Sequence, residues 1–360
     1  MKYLLLILGI TGLLFTACGK SKTITVNLPV AYSWEASNMA QNNASLCSGV
    51  YKDTIYYVEQ YADKFAVRFA AFDGKETSRF YIEQGKGPGQ ALHSLGLRIV
   101  NDTIYFADLR LNRISMFDMT GKFIDSIEYD NTTGPIVTFD IVGTTLYFHS
   151  INQTYLGVMD LKTGNILKKI PYSKEDEEAF KKDISEAKNG MLKFDHNTNT
   201  LYFGNLSSPF RLDVYGTDLT KQKTYTYELD STLKPMIFNT VNTSISGDLI
   251  IGSIMYDTTH IYTTKVGGRF HEKSNKLEFP AFDGEILSFN IKTGNPDYIY
   301  TSDILKNMKG FLTILGVTEN YIILHVGAAE EYTKVLSKDN TTGFAQVIVV
   351  LKRDTKNTKI

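Results

Sequence analysis

A short apolar and aromatic triplet recurs along the chain and constrains its fold more than any other feature. Its four strong copies are Ile55-Tyr56-Tyr57, Ile104-Tyr105-Phe106, Leu146-Tyr147-Phe148 and Leu201-Tyr202-Phe203. They are 49, 42 and 55 residues apart by their first positions, close to the length of one four-stranded propeller blade. Weaker copies at Leu249-Ile250-Ile251 and Tyr321-Ile322-Ile323 raise the number of units to six. The repeat therefore predicts an all-β, six-bladed β-propeller.

Each unit contains the signals of four short strands separated by turns. Residues 96–129 show this best, with Asn101-Asp102 between the first two strands and a Gly121-Lys122 turn before the fourth. Asn, Asp and Gly tolerate the positive φ angles that such turns need. We place the starts of the six units near Leu46, Gly96, Pro135, Met191, Val241 and Phe311.

The sixth unit lacks one strand at its C-terminal end, where Ala345–Leu351 is the last strand that can be assigned. Residues 23–30 alternate at a period of two and contain Pro29, which suits an edge strand. We therefore predict that this N-terminal strand closes the ring. Residues 173–190 break the repeat. In this segment Phe180, Ile184 and Ala187 are spaced so that they share one face of a helix. They predict one short helical insertion between the third and fourth units.

The first residues have the pattern of an export signal. Lys2 precedes an apolar run from Leu4 to Phe15 that is short for a transmembrane span. Phe15-Thr16-Ala17-Cys18 resembles the bacterial lipobox, which implies cleavage before Cys18 and lipidation of its thiol. The expected organisation is a signal peptide at 1–17, a lipidated tether at 18–22 and the propeller at 23–360. Cys47 is then the one other cysteine, and we predict that it is buried.

Composition limits the classes of partner. The net charge is −1 and the isoelectric point is about 6.6, so the chain lacks the basic surplus of a nucleic-acid-binding protein. The six histidines form no close metal-binding motif, and no Gly-x-Ser-x-Gly sequence is present. The sequence thus indicates neither a metal site nor catalytic residues, and it leaves any cofactor unknown.

Stepping two residues past each triplet gives a polar side chain every time, at the end of the second strand of a blade. The six positions are Glu59, Asp108, Ser150, Asn205, Ser253 and His325. They could surround the mouth of the central funnel and bind a ligand. Alternatively, each polar side chain caps its own loop, as Asp108 could do with the backbone near Asn112.

A second candidate group lies around the second blade. Arg110 and Arg113 follow Asp108, while Lys86 and His93 lie in the preceding connection. Together they could bind a carboxylate or sulfate, although ordinary solvated loop charges explain them equally well.

The segment Gly85-Lys86-Gly87-Pro88-Gly89, with Ala107-Asp108-Leu109-Arg110 and Phe117-Asp118, resembles the NHL/TolB-like six-bladed propeller lipoproteins of Bacteroidota. The resemblance covers residues 45–170 well and fades in the last two units. It implies a sensor, binder or scaffold component at the cell envelope. Together with the lipid tether, the rigid ring and the missing catalytic motif, it favours a membrane-anchored lipoprotein whose propeller rim binds a protein, peptide or glycan without catalysis. Gly-Lys-Ser-Lys replaces the acidic tract of surface-exposed relatives, which favours the periplasmic side of the outer membrane. The alternatives are a lyase or hydrolase that uses His325, His149, Glu59 or Asp108, and a structural scaffold.

Overall fold

In the structure, a computed structural model, each strong triplet lies in the second strand of a four-stranded antiparallel sheet. The described residues are 23–36, 39, 46–150, 156–171, 190–205, 210–227, 237–239, 244–249, 254–264, 268–271, 276–278, 284–306, 310–329 and 344–353. Two strands, β1 (Ile24–Asn27) and β2 (Val30–Glu35), precede the first blade. The fold is an all-β six-bladed propeller, as predicted.

Blades one to four each consist of four consecutive antiparallel strands. Blade one contains β3 (Ser48–Tyr51), β4 (Thr54–Gln60), β5 (Lys64–Ala70) and β6 (Glu76–Glu83). Blade two contains β7 (Ser94–Val100), β8 (Thr103–Asp108), β9 (Arg113–Asp118) and β10 (Phe123–Glu128). Blade three contains β11 (Ile136–Val142), β12 (Thr145–Ser150), β13 (Leu156–Asp160) and β14 (Ile166–Ile170). Blade four contains β15 (Gly190–Asp195), β16 (Thr200–Asn205), β17 (Phe210–Gly216) and β18 (Lys221–Tyr227).

Blade five is interrupted by a small extension sheet. The strands of that sheet are β19 (Ile237–Asn239), β20 (Ser244–Leu249), β23 (Gly268–His271) and β24 (Lys276–Glu278). The blade itself contains β21 (Met255–Tyr256), β22 (His260–Thr264), β25 (Ile286–Asn290) and β26 (Pro296–Thr301). The pair Leu249–Gly268 of β20 and β23 continues the antiparallel register of the pair Met255–Tyr262 of β21 and β22. The extension therefore prolongs the first hairpin of the blade.

This arrangement corrects the position of the fifth unit. Leu249 ends β20 in the extension sheet, whereas the second strand of the blade is β22, which contains Ile261-Tyr262. The placement of the fifth triplet at Leu249-Ile250-Ile251 was therefore wrong. The prolonged hairpin supplies a second apolar run of similar spacing, and the sequence pattern alone does not distinguish the two runs.

Blade six is completed by the N-terminus. It contains β27 (Gly310–Val317), β28 (Tyr321–Ala329) and β29 (Phe344–Lys352), and β2 pairs antiparallel with β29 as its fourth strand. Ring closure by an N-terminal strand is confirmed, but the closing residues are 30–35 rather than 23–30. Residues 24–27 instead pair parallel with β26 at the outer edge of blade five. Pro29 lies between the two strands, where its missing N–H interrupts neither ladder.

The described residues contain no α-helix, and their two 3₁₀ turns are Asn131–Thr133 and Asp303–Leu305. The helix predicted at 173–190 lies outside the described residues, apart from Gly190, which begins β15.

Aromatic side chains join neighbouring blades around much of the ring. Ring centroids are 5.9 Å apart between Phe65 and Phe106, 5.5 Å between Tyr147 and Phe194, 6.0 Å between Tyr202 and Tyr256, and 5.1 Å between Phe72 and Tyr321. Tilted or stacked pairs at such distances contribute about 0.5–1.5 kcal/mol beyond their buried area. Both faces of a triplet strand are thus covered, which explains why the triplets are apolar without alternation.

The turns use the chemistry that the sequence predicts. Lys52-Asp53 and Asn101-Asp102 all have positive φ, between 46° and 59°, as two-residue type I′ hairpins require. In the turn before β10, the Asp118 carboxylate accepts hydrogen bonds from the backbone of Thr120 and Lys122, and Gly121 has a φ of 87°. The Thr120 hydroxyl also donates to this carboxylate. The hydroxyl bond, followed by the backbone bonds, holds the pKa of Asp118 below its usual value.

Consecutive strands run in opposite directions, so the connections alternate between the two faces of the disc. One face, the turn face, carries tight turns such as 52–53, 101–102, 119–122 and 291–295. The other, the connection face, carries the loops between second and third strands and the connections between blades. The extension sheet of blade five also projects from the connection face, because it lies at the end of the hairpin opposite the 257–259 turn.

Removal of the closing strand tests the role of β2. We expect a chain of residues 36–360 to lose cooperative thermal unfolding, because blade six would expose the edge of β29 and the ring would open. A chain of residues 28–360, which lacks β1 but keeps β2, is the control and should still unfold cooperatively. Circular dichroism during heating compares the two, and equal melting curves would contradict the closure role.

Candidate functional site

The polar residues at the ends of the second strands are buried and make local contacts. The Asp108 carboxylate accepts hydrogen bonds from four backbone N–H groups, those of Leu92 at 2.6 Å, His93 at 3.3 Å, Arg110 at 2.8 Å and Leu111 at 3.0 Å. It thereby joins its own loop to the preceding inter-blade connection. The loop-capping alternative holds for this residue, with Arg110 and Leu111 as donors in place of Asn112.

Arg113 also fastens the inter-blade connection. The residue is 5% exposed, and its guanidinium donates to the carbonyls of Lys86 at 3.2 Å, Gly87 at 3.1 Å and Gln90 at 2.6 Å. Arg110 is exposed on the connection face. The predicted anion corner is thus divided, because Arg113 is occupied by backbone carbonyls while the Arg110 side chain faces solvent.

Glu59 and His325 lie on the same side of the ring, on either side of the seam between blades one and six. The Glu59 carboxylate accepts from Tyr61 at 2.9 Å and pairs with Arg68 at 3.1 Å. His325 Nε2 is 3.0 Å from Gln346, which donates to the Met39 carbonyl at 2.8 Å. Met39 in turn forms a β-bridge with Glu59. The two predicted residues are therefore linked through Met39.

The remaining predicted positions differ in how far the structure describes them. Ser150 is buried and donates to the Thr133 carbonyl at 2.5 Å. Asn205 ends β16, Ser253 lies outside the described residues, and so does the lipidation site Cys18. The corrected register makes Lys265, rather than Ser253, the fifth equivalent position, and this residue also lies outside the described residues. Cys47 is buried as predicted, and burial raises the pKa of its thiol to about 12.

A group of charged residues that the sequence analysis missed lies at the axis of the ring. On the first strands of blades two, three and four, Arg98, Asp140 and Lys193 pair with Tyr105, Tyr147 and Tyr202, the middle residues of their triplets. In blade one this position is Gly49, and the Tyr56 hydroxyl lies over it, 2.5 Å from where a Cβ would be. We call Tyr56, Arg98, Asp140 and Lys193 the axial cluster.

Charge interactions between blades two apart, Arg98 with Lys193 and Asp140 with Tyr56, place the cluster near the axis. The Arg98 guanidinium donates to the Leu46 carbonyl before blade one at 2.9 Å and lies 5.7 Å from the Phe139 ring centre in blade three. The Arg98 charge in blade two also acts on the amine of Lys193 in blade four. In a ring of six, side chains from blades two apart can approach one another only near the centre.

The electrostatics of the cluster are unusual for a protein interior. Burial, with a contribution from the Arg98 charge, lowers the pKa of Lys193 to about 7. Burial raises the pKa of Tyr56 to about 12. Asp140 uses one carboxylate oxygen to accept from its neighbour Ile141 and the other to accept from Phe194 of blade four, both at 2.9 Å. A signal for the cluster was present in the sequence, because three charged residues occupy equivalent positions in otherwise apolar first strands.

Among the described residues, no group of three or more metal-ligating side chains comes together. Across that same part of the chain, no helix has the length and apolarity needed to cross a membrane.

Comparison with solved structures supports the fold. The chain is similar to a member of the DUF4221 family from Bacteroides vulgatus, with a TM-score of 0.61 and 11% identity over 93% of this chain and 100% of the other. It is also similar to a candidate exported protein of Bacteroides fragilis, with a TM-score of 0.53 and 9% identity over 92% and 99% of the two chains. No protein-family model matches the sequence, and no curated protein is similar to it. At these identities the likeness shows the six-bladed fold alone.

Two neighbouring arginines test whether the inter-blade contact is structural. We expect Arg113→Met to lower the free energy of unfolding by about 3 kcal/mol, because three carbonyls lose their charged donor. The control Arg110→Met should change it by no more than about 0.5 kcal/mol, since this side chain is exposed. Urea unfolding measures both, and equal effects would show that the carbonyl contacts do not stabilise the fold.

His325 should make stability depend on pH. Burial lowers the pKa of His325 from 6.5 to about 4, so between these values the unfolded chain binds more protons than the folded one. The contribution of neutral His325 to the free energy of unfolding is therefore full above about pH 6.5. It falls by an amount on the order of 3 kcal/mol as the pH drops to 4. The measurement is the difference in unfolding free energy between wild type and His325→Gln across this range. A difference that does not vary with pH would refute the assignment.

Proposed function

We propose that this chain is a lipid-anchored envelope protein whose propeller binds a protein, peptide or glycan at its connection face and does not catalyse a reaction. The observation that carries the proposal is the asymmetry of the disc. Tight turns occupy the turn face, whereas the connection face carries the extension sheet and the strand ends that longer segments join, such as the ends of β14 and β28. Loops on a rigid scaffold are the usual place for recognition.

Several features support export and anchoring. The Phe15-Thr16-Ala17-Cys18 segment has the form of a lipobox, and the structurally similar Bacteroides fragilis protein is a candidate exported protein. With the Gly85–Gly89 and Ala107–Arg110 segments, these features favour membership of the NHL/TolB-like lipoproteins of Bacteroidota. We place the protein on the periplasmic side of the outer membrane, because no acidic tract follows Cys18.

The contacts of the candidate catalytic residues favour binding over catalysis. Glu59 is held by Tyr61 and Arg68, and Asp108 by backbone N–H groups. His149 is buried and packs on Phe203, with ring centres 4.9 Å apart. His325 is buried and neutral at pH 7. A lyase or hydrolase built from these four groups would need them to converge on a substrate.

The connection face can be tested by photo-crosslinking in cells. A photoreactive amino acid in place of Arg110 lies on the connection face, whereas one in place of Lys292 lies on the turn face and serves as the matched control. We expect crosslinks to an envelope protein or peptide from position 110 and none from position 292. A glycan array probed with residues 19–360 covers the carbohydrate alternative. Crosslinks from position 292 alone, or no ligand in either assay, would count against the proposal.

The anchor has its own test. We expect Cys18→Ala to move the protein from the membrane fraction to the soluble fraction, because the thiol that accepts the lipid is gone. Cys47→Ala is the control, since Cys47 is buried within the propeller, and it should stay with the membrane. Release of neither variant would refute lipid anchoring through Cys18.

A further inference from the structure

We propose that the axial cluster binds a small oxyanion, the carboxylate or phosphate group of a soluble ligand, between Arg98 and Lys193. The site is separate from the connection face, because Arg98 lies two residues before the end of β7 and therefore closer to the turn face. The two proposals can fail independently.

Arg98 has hydrogen-bonding capacity that its contacts leave unused. It is 95% buried, and its Nη1 donates to the carbonyls of Leu46 at 2.9 Å and Leu97 at 2.7 Å. Its Nε, also buried, has no partner among the described residues. A buried guanidinium with an unpaired N–H is costly, because the donor has left water without replacing its hydrogen bonds.

Lys193 faces the same region without a partner of its own. Its amine makes no hydrogen bond or ion pair within the described part of the chain, while the neighbouring strand presents Tyr202. The charged groups that act on it are Arg98, which disfavours its protonation, and Asp140, which favours it. A positive charge in this position lacks the close counter-charge that partly buried ammonium groups require.

Asp140 cannot balance both cations. Both of its oxygens accept backbone hydrogen bonds, from Ile141 and from Phe194. Each of these bonds uses a lone pair that could otherwise accept from Arg98 or Lys193. When Lys193 is protonated, the cluster holds two positive charges and one negative charge. An oxyanion would restore neutrality, with the guanidinium of Arg98 as a fork and the Lys193 amine as a point charge.

Isothermal titration of residues 19–360 with inorganic phosphate, and separately with acetate, tests the site at low ionic strength and pH 6.5. We expect saturable binding of at least one anion and a loss of at least tenfold in affinity for Lys193→Met. Lys292→Met removes an exposed lysine on the turn face and should bind as the wild type does. A phosphate-only or acetate-only response identifies which anion the site accepts. Equal binding by wild type and Lys193→Met, or no binding of either anion, would overturn the proposal.

A second measurement does not depend on a variant. In wild-type protein carrying ¹³C-methylated lysines, one amine should titrate near neutral pH, and saturating anion should move its midpoint upward by about one unit, because the bound charge favours the protonated form. The melting temperature of Lys193→Met without anion should be no lower than that of the wild type, since the substitution removes a poorly paired cation. A titration midpoint of this amine that does not change when the anion is added would refute the site.

Discussion

The structure depends on the burial of both faces of every second strand by neighbouring blades. A blade of four short strands has too little core to be stable alone, so each triplet is stable only between two neighbours. Phe65 against Phe106 and Phe72 against Tyr321 show this contact at two different seams. The seam between blades six and one has the same requirement, and β2 fulfils it by completing blade six.

Polar contacts between blades then fix how neighbouring blades are positioned relative to one another. Asp108 and Arg113 hold the connection before blade two, while Asp140 accepts from the backbone of blade four. These groups would look like ligand-binding residues if their burial were unknown. In a propeller, polar residues at strand ends serve first to satisfy the backbone groups of the connections, and Arg110 is a candidate for recognition because its side chain remains exposed.

The sequence predicted the blade number, the turn chemistry and ring closure, because these follow from local patterns such as Asn101-Asp102 and the triplets. It failed where two segments share one pattern. The hairpin extension around Leu249 imitates a blade strand, and the alternation of residues 24–27 continues into β2 on the other side of Pro29. The axial cluster escaped prediction because Arg98, Asp140 and Lys193 are more than forty residues apart and meet only when blades three and four close around the axis.

The pairing of β2 with β29 has a consequence for the order of events in the cell. Residues 30–35 are synthesised long before their partner, Phe344–Lys352, because blades one to five lie between them in the chain. The closing strand must therefore wait, unpaired and aggregation-prone, until the rest of blade six has been synthesised. A tether attached at Cys18 would hold that waiting strand at the bilayer surface, so that assembly of the ring is completed next to the membrane.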